Sequence, residues 1–495
     1  MTMTIRQAGQ ILLFLSGLLL VACRPTPILI YVTPTPQTEI DITTTPVPTV
    51  AVEATEATAE LTEEAGAAAT STRRATAVVG SVIGPDYTPP PTNTPLPTNT
   101  PPPTETRTPR RGTTTPDAPS EEAPAAPTAA ATSPVRSQDL PDLDGSLIGL
   151  QVHAMLDQEA WDQAVGDIER LEIGWAKVQI DWSLLQPNNA QEISQDFRRQ
   201  ELYLESLNQR GLKVLISVAK APGWARTTTA EAGPPDDPQA LADFITLMLR
   251  EFGESVDAVE VWNEPNLLRE WQGQPLTGAS YMRYFAPAYE AIRAYSPEVV
   301  VVTGAPAPTS NGESSVDDRD YLRQMYASGL GSYSDVAIGV HPYGWGNSPD
   351  ARCCDASDER GWDDDPHFFF MDTIAEYREI MVANGHENNE LWPTEFGWAT
   401  WDGLPGSAPE TWMTYNDRWQ QGEYALRAFQ IGQETDYIGP MFLWNLNFAM
   451  LPSLLENRDE RAAYGLIVPL QPRERPAYWM LYDAVRPDVQ LERYD

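Results

Sequence analysis

Val256-Asp-Ala-Val-Glu-Val-Trp-Asn-Glu-Pro-Asn266 opens as a short apolar, β-branched run and stops abruptly in polar residues and a proline. A buried parallel strand reads this way where it leaves the top of a sheet. Glu264 then stands at a strand's carboxyl end. In a (β/α)8 barrel that is the face where reactive groups collect, because the βα loops build the pocket there while the opposite face only supports the fold. A second carboxylate, Glu395, stands in Leu-Trp-Pro-Thr-Glu-Phe-Gly-Trp (Leu391 to Trp398), which ends another apolar run 131 positions later.

Working outward from these two runs, eight apolar strands are expected: Leu147 to His153, Trp175 to Trp182, Lys213 to Lys220, Val256 to Trp262, Val299 to Gly304, Asp335 to His341, Leu391 to Glu395 and Tyr437 to Trp444. Amphipathic stretches such as Pro238 to Phe252, Ala279 to Ala294, Phe370 to Asn384 and Asn416 to Thr435 separate them. Eight βα units with right-handed crossovers predict an α/β chain folded as a (β/α)8 TIM barrel over residues 141–495. A doubly wound open sheet is the second choice, but no Gly-x-Gly-x-x-Gly turn follows the first strand.

The chain begins differently. Residues 1–22 carry Arg6, an apolar core from Ile11 to Leu20 and small residues before Cys23, the layout of a secretory signal peptide. Leu20-Val21-Ala22-Cys23 is similar to a bacterial lipobox. That resemblance implies cleavage before Cys23, its acylation, and a location at the outer face of the cell membrane; an ordinary signal peptide with a chance cysteine is the alternative. Residues 23–140 are dominated by Pro, Thr, Ala and Glu, hold 21 of the 45 prolines and contain no tryptophan or lysine. Too few large apolar groups are present to offset the entropy of ordering, so this is expected to be a disordered, Pro/Thr-rich tether with an r.m.s. reach of roughly 60 Å.

Beyond residue 140 there are 57 Asp plus Glu against 25 Lys plus Arg, a difference of −32 within the chain's −37. Such a surface argues against nucleic acid and against strongly anionic polymers as partners. The cysteines Cys353 and Cys354 sit side by side in a polar stretch, free to form a vicinal disulfide or to stay apart, and no spacing suits a zinc site. No metal and no cofactor is expected, and the chain is expected to be a monomer.

Asn263-Glu264-Pro265 after the fourth strand, with Thr394-Glu395-Phe396-Gly397 after the seventh, resembles the retaining glycoside hydrolases of clan A. Lys177 with Trp182, Pro222-Gly-Trp224-Ala225 and His341-Pro342-Tyr343 are most similar to family 39 and its exopolysaccharide-hydrolase relatives, with family 5-like cellulases close behind. The resemblance implies a carbohydrate substrate, Glu264 as acid/base and Glu395 as nucleophile. Such a pair needs unlike surroundings, Glu264 held protonated and Glu395 ionised. It also implies Asn263 on the sugar 2-hydroxyl, Tyr343 on the nucleophile, His341 at the −1 sugar and Trp444 as its floor. Lys177 stands where relatives often carry an arginine that points into the barrel, so whether it contacts the nucleophile or the substrate is open. Lys220 and His153 end strands and serve either sugar hydroxyls or packing. Trp224, Trp271, Trp345, Trp398 and Trp401 are expected in upper loops, about half of them against sugar. A carbohydrate-binding surface lipoprotein without turnover is the alternative.

Overall fold

The structure, a computed structural model, describes residues 140–354 and 365–486. The expected signal peptide, the lipidation site Cys23 and the tether lie outside the described residues, Leu140 excepted. Eight strands are present: β1 (Ile148–Gln151), β2 (Trp175–Asp181), β3 (Lys213–Ala219), β4 (Ala258–Val261), β5 (Val300–Thr303), β6 (Val336–Val340), β7 (Leu391–Pro393) and β8 (Met441–Leu443). They pair in parallel in the order β7-β6-β5-β4-β3-β2-β1-β8. The ring is joined across its seam by Leu391 N–H to Tyr437 O at 2.9 Å and Trp444 N–H to Phe396 O at 2.8 Å. This is a (β/α)8 barrel, with helices between successive strands.

The helices form where the apolar spacing asks for them. Pro238–Phe252 is started by the Asp237 side chain, which accepts from Gln239 N–H, and by Pro238 in the first turn, where a missing N–H costs nothing. It buries Leu241, Phe244, Ile245, Met248, Leu249 and Phe252, the i, i+3, i+4 face turned toward the strands. Gly278–Tyr295, Phe370–Ala383 and Arg418–Gln433 match the other expected stretches to within two residues at each end.

Period two along the strands sorts the barrel interior into layers. Trp175, Leu215, Ala258, Val302, Ala337, Trp392 and Phe442 form an apolar plug at the lower end. Two residues further along three of these strands stand Lys177, Ser217 and Glu260, all 0% exposed. The interior is therefore apolar below and polar above. Next in step on β2 is Gln179, which lines the cavity at the top. Strand β7 stops at Pro393, so Glu395 projects from the turn that follows, not from the strand as expected.

Above the barrel the long segments after β7 and β8 build a second small core of Tyr343, Trp401, Leu404, Met413, Phe448, Leu454 and Tyr464 with their neighbours. Cys353 and Cys354 are joined to each other as a vicinal disulfide. Among the described residues no helix is long and apolar enough to cross a membrane.

Candidate active site

At the carboxyl ends of the strands lies a cavity of about 430 Å³ lined by Asn263, Glu264, Glu270, Tyr343, Glu395 and Trp444, with Gln179, Lys220, Arg269, Trp345, Trp412, Glu460, Arg461 and Tyr464 around them. One side-chain ligand atom from each of Glu264, His341 and Glu395 lies within 4.8 Å of the other two. The two glutamates thus bring a carboxylate oxygen each to within 4.8 Å of the other. Backbone conformation contributes to this arrangement. Lys220, Glu264 and Trp345 line the cavity and have φ of +59°, +45° and +49°, and Trp262 just before the Asn-Glu-Pro turn has +78°. Non-glycine residues in the left-handed region each cost of order 1–3 kcal/mol and gather where geometry is over-determined for a site.

Glu395 is held from beneath. Lys177 Nζ lies 3.1 Å from Glu395 Oε1 and 2.8 Å from Glu260 Oε2, and donates to Thr394 O at 3.1 Å. Burial works against the ammonium, but the charges of Glu260 and Glu395 outweigh it, so Lys177 is held above the usual lysine range. The Thr394 hydroxyl completes the layer by donating to Glu260 Oε1 at 2.7 Å. From the side, the Tyr343 hydroxyl donates to Glu395 Oε2 at 3.1 Å. Gly344 permits that reach: a Cβ there would come within 2.6 Å of Trp398 Nε1.

Glu264 is held from above. Its Oε1 lies 3.2 Å from His341 Nδ1 and its Oε2 accepts from Arg269 at 3.2 Å. The Arg269 side chain is 62% exposed, whereas Lys177 is fully enclosed. Burial pushes the Glu264 carboxyl up, but the His341 hydrogen bond and charge and the Arg269 guanidinium prevail and hold it below the usual range. This corrects the expectation of a Glu264 held protonated: an apolar pocket alone would raise it, but two cationic or donor groups reach it first.

Several expected contacts are relocated. Lys177 sits below the cavity against Glu395, enclosed by the barrel, and does not line the surface a sugar would meet. His341, its side chain enclosed, lies against Glu264 and does not line the cavity itself. His153 is turned into the wall: its ring meets Phe448 edge-on at 5.0 Å and its Nδ1 accepts from Met155 N–H at 3.1 Å. Burial, with the charges of Arg461 and Lys220, lowers it to about 4, so the ring is neutral. Trp224 faces a different cavity of about 580 Å³ with Trp182, Gln186, Phe244 and Arg250. There its indole N–H donates to Gln186 O at 2.7 Å, because the 3-10 turn Gly223–Ala225 folds outward over the helices.

Of the other tryptophans, Trp345 lines the candidate site, stacked between Phe368 at 3.8 Å and Trp412 at 5.3 Å. Trp271, Trp398 and Trp401 are buried, each with its indole N–H satisfied, by Ser280, Asn347 and Pro405 respectively. A ring this large brings more apolar area than any side chain around it, so loops that can fold over it do so. Asn263 and Trp444 line the cavity as expected, Asn263 with its Oδ1 left without a donor.

Four residues central to the arrangement escaped the sequence reading. Glu260 carried a signal: a carboxylate inside an apolar strand needs a buried cation, and Lys177 is the lysine within an equally apolar strand. Arg269, Glu270 and Glu460 carried none, since charged loop residues are the rule and only folding brings these three to one cavity.

No protein-family model and no curated protein matches the sequence. Solved structures do. A family 39 glycoside hydrolase from the gut symbiont Bacteroides cellulosilyticus WH2 aligns with a TM-score of 0.51 at 16% identity over 71% of this chain. The aligned part is 65% of that chain, under two thirds of its length. GH5_18 from Streptomyces cattleya, solved in complex with GlcNAc, aligns at 0.47 and 14% identity over 68% of this chain and 79% of its own. The Ignisphaera aggregans GH53 catalytic domain gives 0.46 and 13% over 71% and 99%. At such identity the likeness to the family 39 structure shows a shared barrel fold.

Proposed function

We propose that this chain is a glycosidase that hydrolyses O-glycosidic bonds of a poly- or oligosaccharide with retention of configuration. The observation that carries this reading is the pair of carboxylates, Glu264 and Glu395, whose nearest oxygens stand within 4.8 Å of each other in a cavity at the barrel mouth. Retaining enzymes hold their two carboxyl groups about 5–5.5 Å apart, whereas inverting ones need about 6.5–9.5 Å to admit a water between them. Likeness to the family 39 structure supports the reading at the level of the fold.

In this scheme Glu395 attacks the anomeric carbon with an oxygen lone pair while the glycosidic C–O bond breaks, and Glu264 gives the departing oxygen its proton. Glu264 then takes a proton from water, whose oxygen displaces Glu395. Lys177 and Tyr343 each donate to one Glu395 oxygen, so the carboxylate is oriented and its charge is stabilised when it leaves again. Because Glu264 is held low in the free protein, it must gain its proton as the glycan enters. Exclusion of water and displacement of the exposed Arg269 both act in that direction. Asn263 offers the sugar an open acceptor, and Trp444 offers it a ring.

The test uses the different tasks of the two glutamates. Glu395→Ala should abolish hydrolysis even of activated aryl glycosides. Glu264→Ala should still form the glycosyl-enzyme from such substrates, and added azide should restore turnover with net retention, read by NMR. Wild-type product of inverted configuration, or full activity in either variant, would overturn the reading. The intact pair counts against a barrel that merely binds carbohydrate.

We also propose that the barrel works as a monomer at the outer face of the cell membrane, held by acylated Cys23 and spaced from it by the tether of residues 23–140. The lipobox-like Leu20-Val21-Ala22-Cys23 supports this. Cys23→Ser should move the protein out of the detergent phase, and unchanged partitioning would refute the anchor.

A further inference from the structure

The carboxylates that line the candidate site do not all have an ion-pair partner. Each cation lining the cavity already has a carboxylate: Arg269 has Glu264 at 3.2 Å, Lys220 has Asp181 at 3.4 Å and Arg461 has Asp459 at 2.7 Å. Glu395 is served by the enclosed Lys177. Two lining carboxylates remain, Glu270 and Glu460, and among the described residues neither has an ion-pair partner. Glu270 Oε2 is enclosed and accepts no hydrogen bond, and the same holds for Oδ1 of Asn263, a residue only 7% exposed. The cavity therefore presents enclosed acceptors without a donor at Glu270 and Asn263, and two carboxylates outside any ion pair that feel the charge of Arg269 only at longer range.

Resting on the glycosidase reading, we propose that Glu270, with Glu460 at the rim and Asn263 beside it, recognises a protonated amino group, so that the substrate is a glycan containing amino sugars with free amines. An ammonium supplies three donors and the missing positive charge in one group. Neutral hydroxyls would satisfy the acceptors but leave the charge unpaired, and an anionic sugar would add to it. Burial and the neighbouring charge of Glu264 push Glu270 up to about 7, outweighing the charges of Lys220 and Arg269, neither of which pairs with it. The long-range field agrees: a chain of net charge −37 concentrates cationic polymers around itself.

The experiment measures binding to the full chain carrying Glu395→Gln, so that ligand is not consumed. The probes are β-linked glucosamine oligosaccharides of 1,3, 1,4 and 1,6 linkage, and their N-acetylated counterparts, titrated calorimetrically at low salt. For at least one linkage the free-amine form should bind about tenfold or more tighter than the acetylated form, the range of a charged hydrogen bond. Adding Glu270→Gln should bring that ratio near one. Should the Glu270 variant fail to fold, Glu460→Gln at the exposed rim should lower the same ratio by a smaller factor. Equal affinity for both forms, no binding of any free-amine oligomer, or a ratio untouched by these variants would overturn the proposal. Turnover is judged apart: a persisting ratio in a chain that hydrolyses no glycan would reject the glycosidase reading and leave the recognition standing.

Discussion

Glu395 and Glu264 face each other across one cavity, yet they are held by opposite means. Glu395 rests on Lys177, which is wholly enclosed, and on Tyr343, whose hydroxyl points at it from the wall. Glu264 is pinned by Arg269, most of whose side chain is in solvent, and by His341 at 3.2 Å. The first set of donors cannot leave without unpacking the barrel. Of the second, the exposed Arg269 can swing away. A carboxylate that must be charged and aimed when it attacks and when it leaves suits the first environment, and one that must take up and release a proton suits the second.

The comparison can be broken most severely from below. Lys177→Met should destabilise the fold by about 3–5 kcal/mol, because it leaves Glu260 charged and unpaired in the barrel. It should also lower turnover sharply. Replacing Glu260 by Gln in the same chain should recover much of the stability but not the activity, as read by thermal melts beside rates. Recovery of both would mean that Lys177 serves only packing. A smaller effect is expected from the side: Tyr343→Phe should reduce turnover about tenfold to a hundredfold, the worth of one hydrogen bond to a charged group, with little change in melting temperature. An equal loss from Arg269→Ala would erase the distinction between fixed and movable donors.

The smallest effect sharpens the contrast by adding a third carboxylate. Glu270 has a folded-state value of about 7 against an ordinary 4.5, raised first by burial and then by Glu264, with Lys220 and Arg269 opposing. Between those values the folded state binds the extra proton, so this group's contribution to stability is present below about pH 4.5 and is lost as pH rises through 7. Glu270→Gln should therefore melt with the parent at pH 4 and be more stable at pH 8, by about 1–3 kcal/mol. A loss of stability at pH 8 would show that Glu270 has a cation partner after all. Glu264 has the opposite sign. Its folded value is depressed, so the stability it lends is present above the ordinary glutamate range and fades as pH falls through the lowered value.

Strand number, strand placement and the identity of the facing pair were legible in the chain because each rests on short-range pattern. An apolar run of three to seven residues ending in Asn263-Glu264-Pro265 or Thr394-Glu395 has few structural alternatives, and eight such runs separated by amphipathic helices close into one barrel. Aromatic roles were not legible. Trp224, Trp271, Trp398 and Trp401 share with Trp345 a place in an upper loop, but only Trp345 reaches the cavity. Which ring is folded under depends on how the segments after β7 and β8 pack on each other. The hydrogen-bond partners of the pair were decided at the same level. Nothing near Glu264 in the chain announces His341, 77 positions away, and nothing near Glu395 announces Lys177, 218 positions away. Local pattern determines which residues reach the mouth of the barrel; the electrostatics there are sums over groups that only the closed ring brings within a few ångströms, and those sums set what each carboxylate can do.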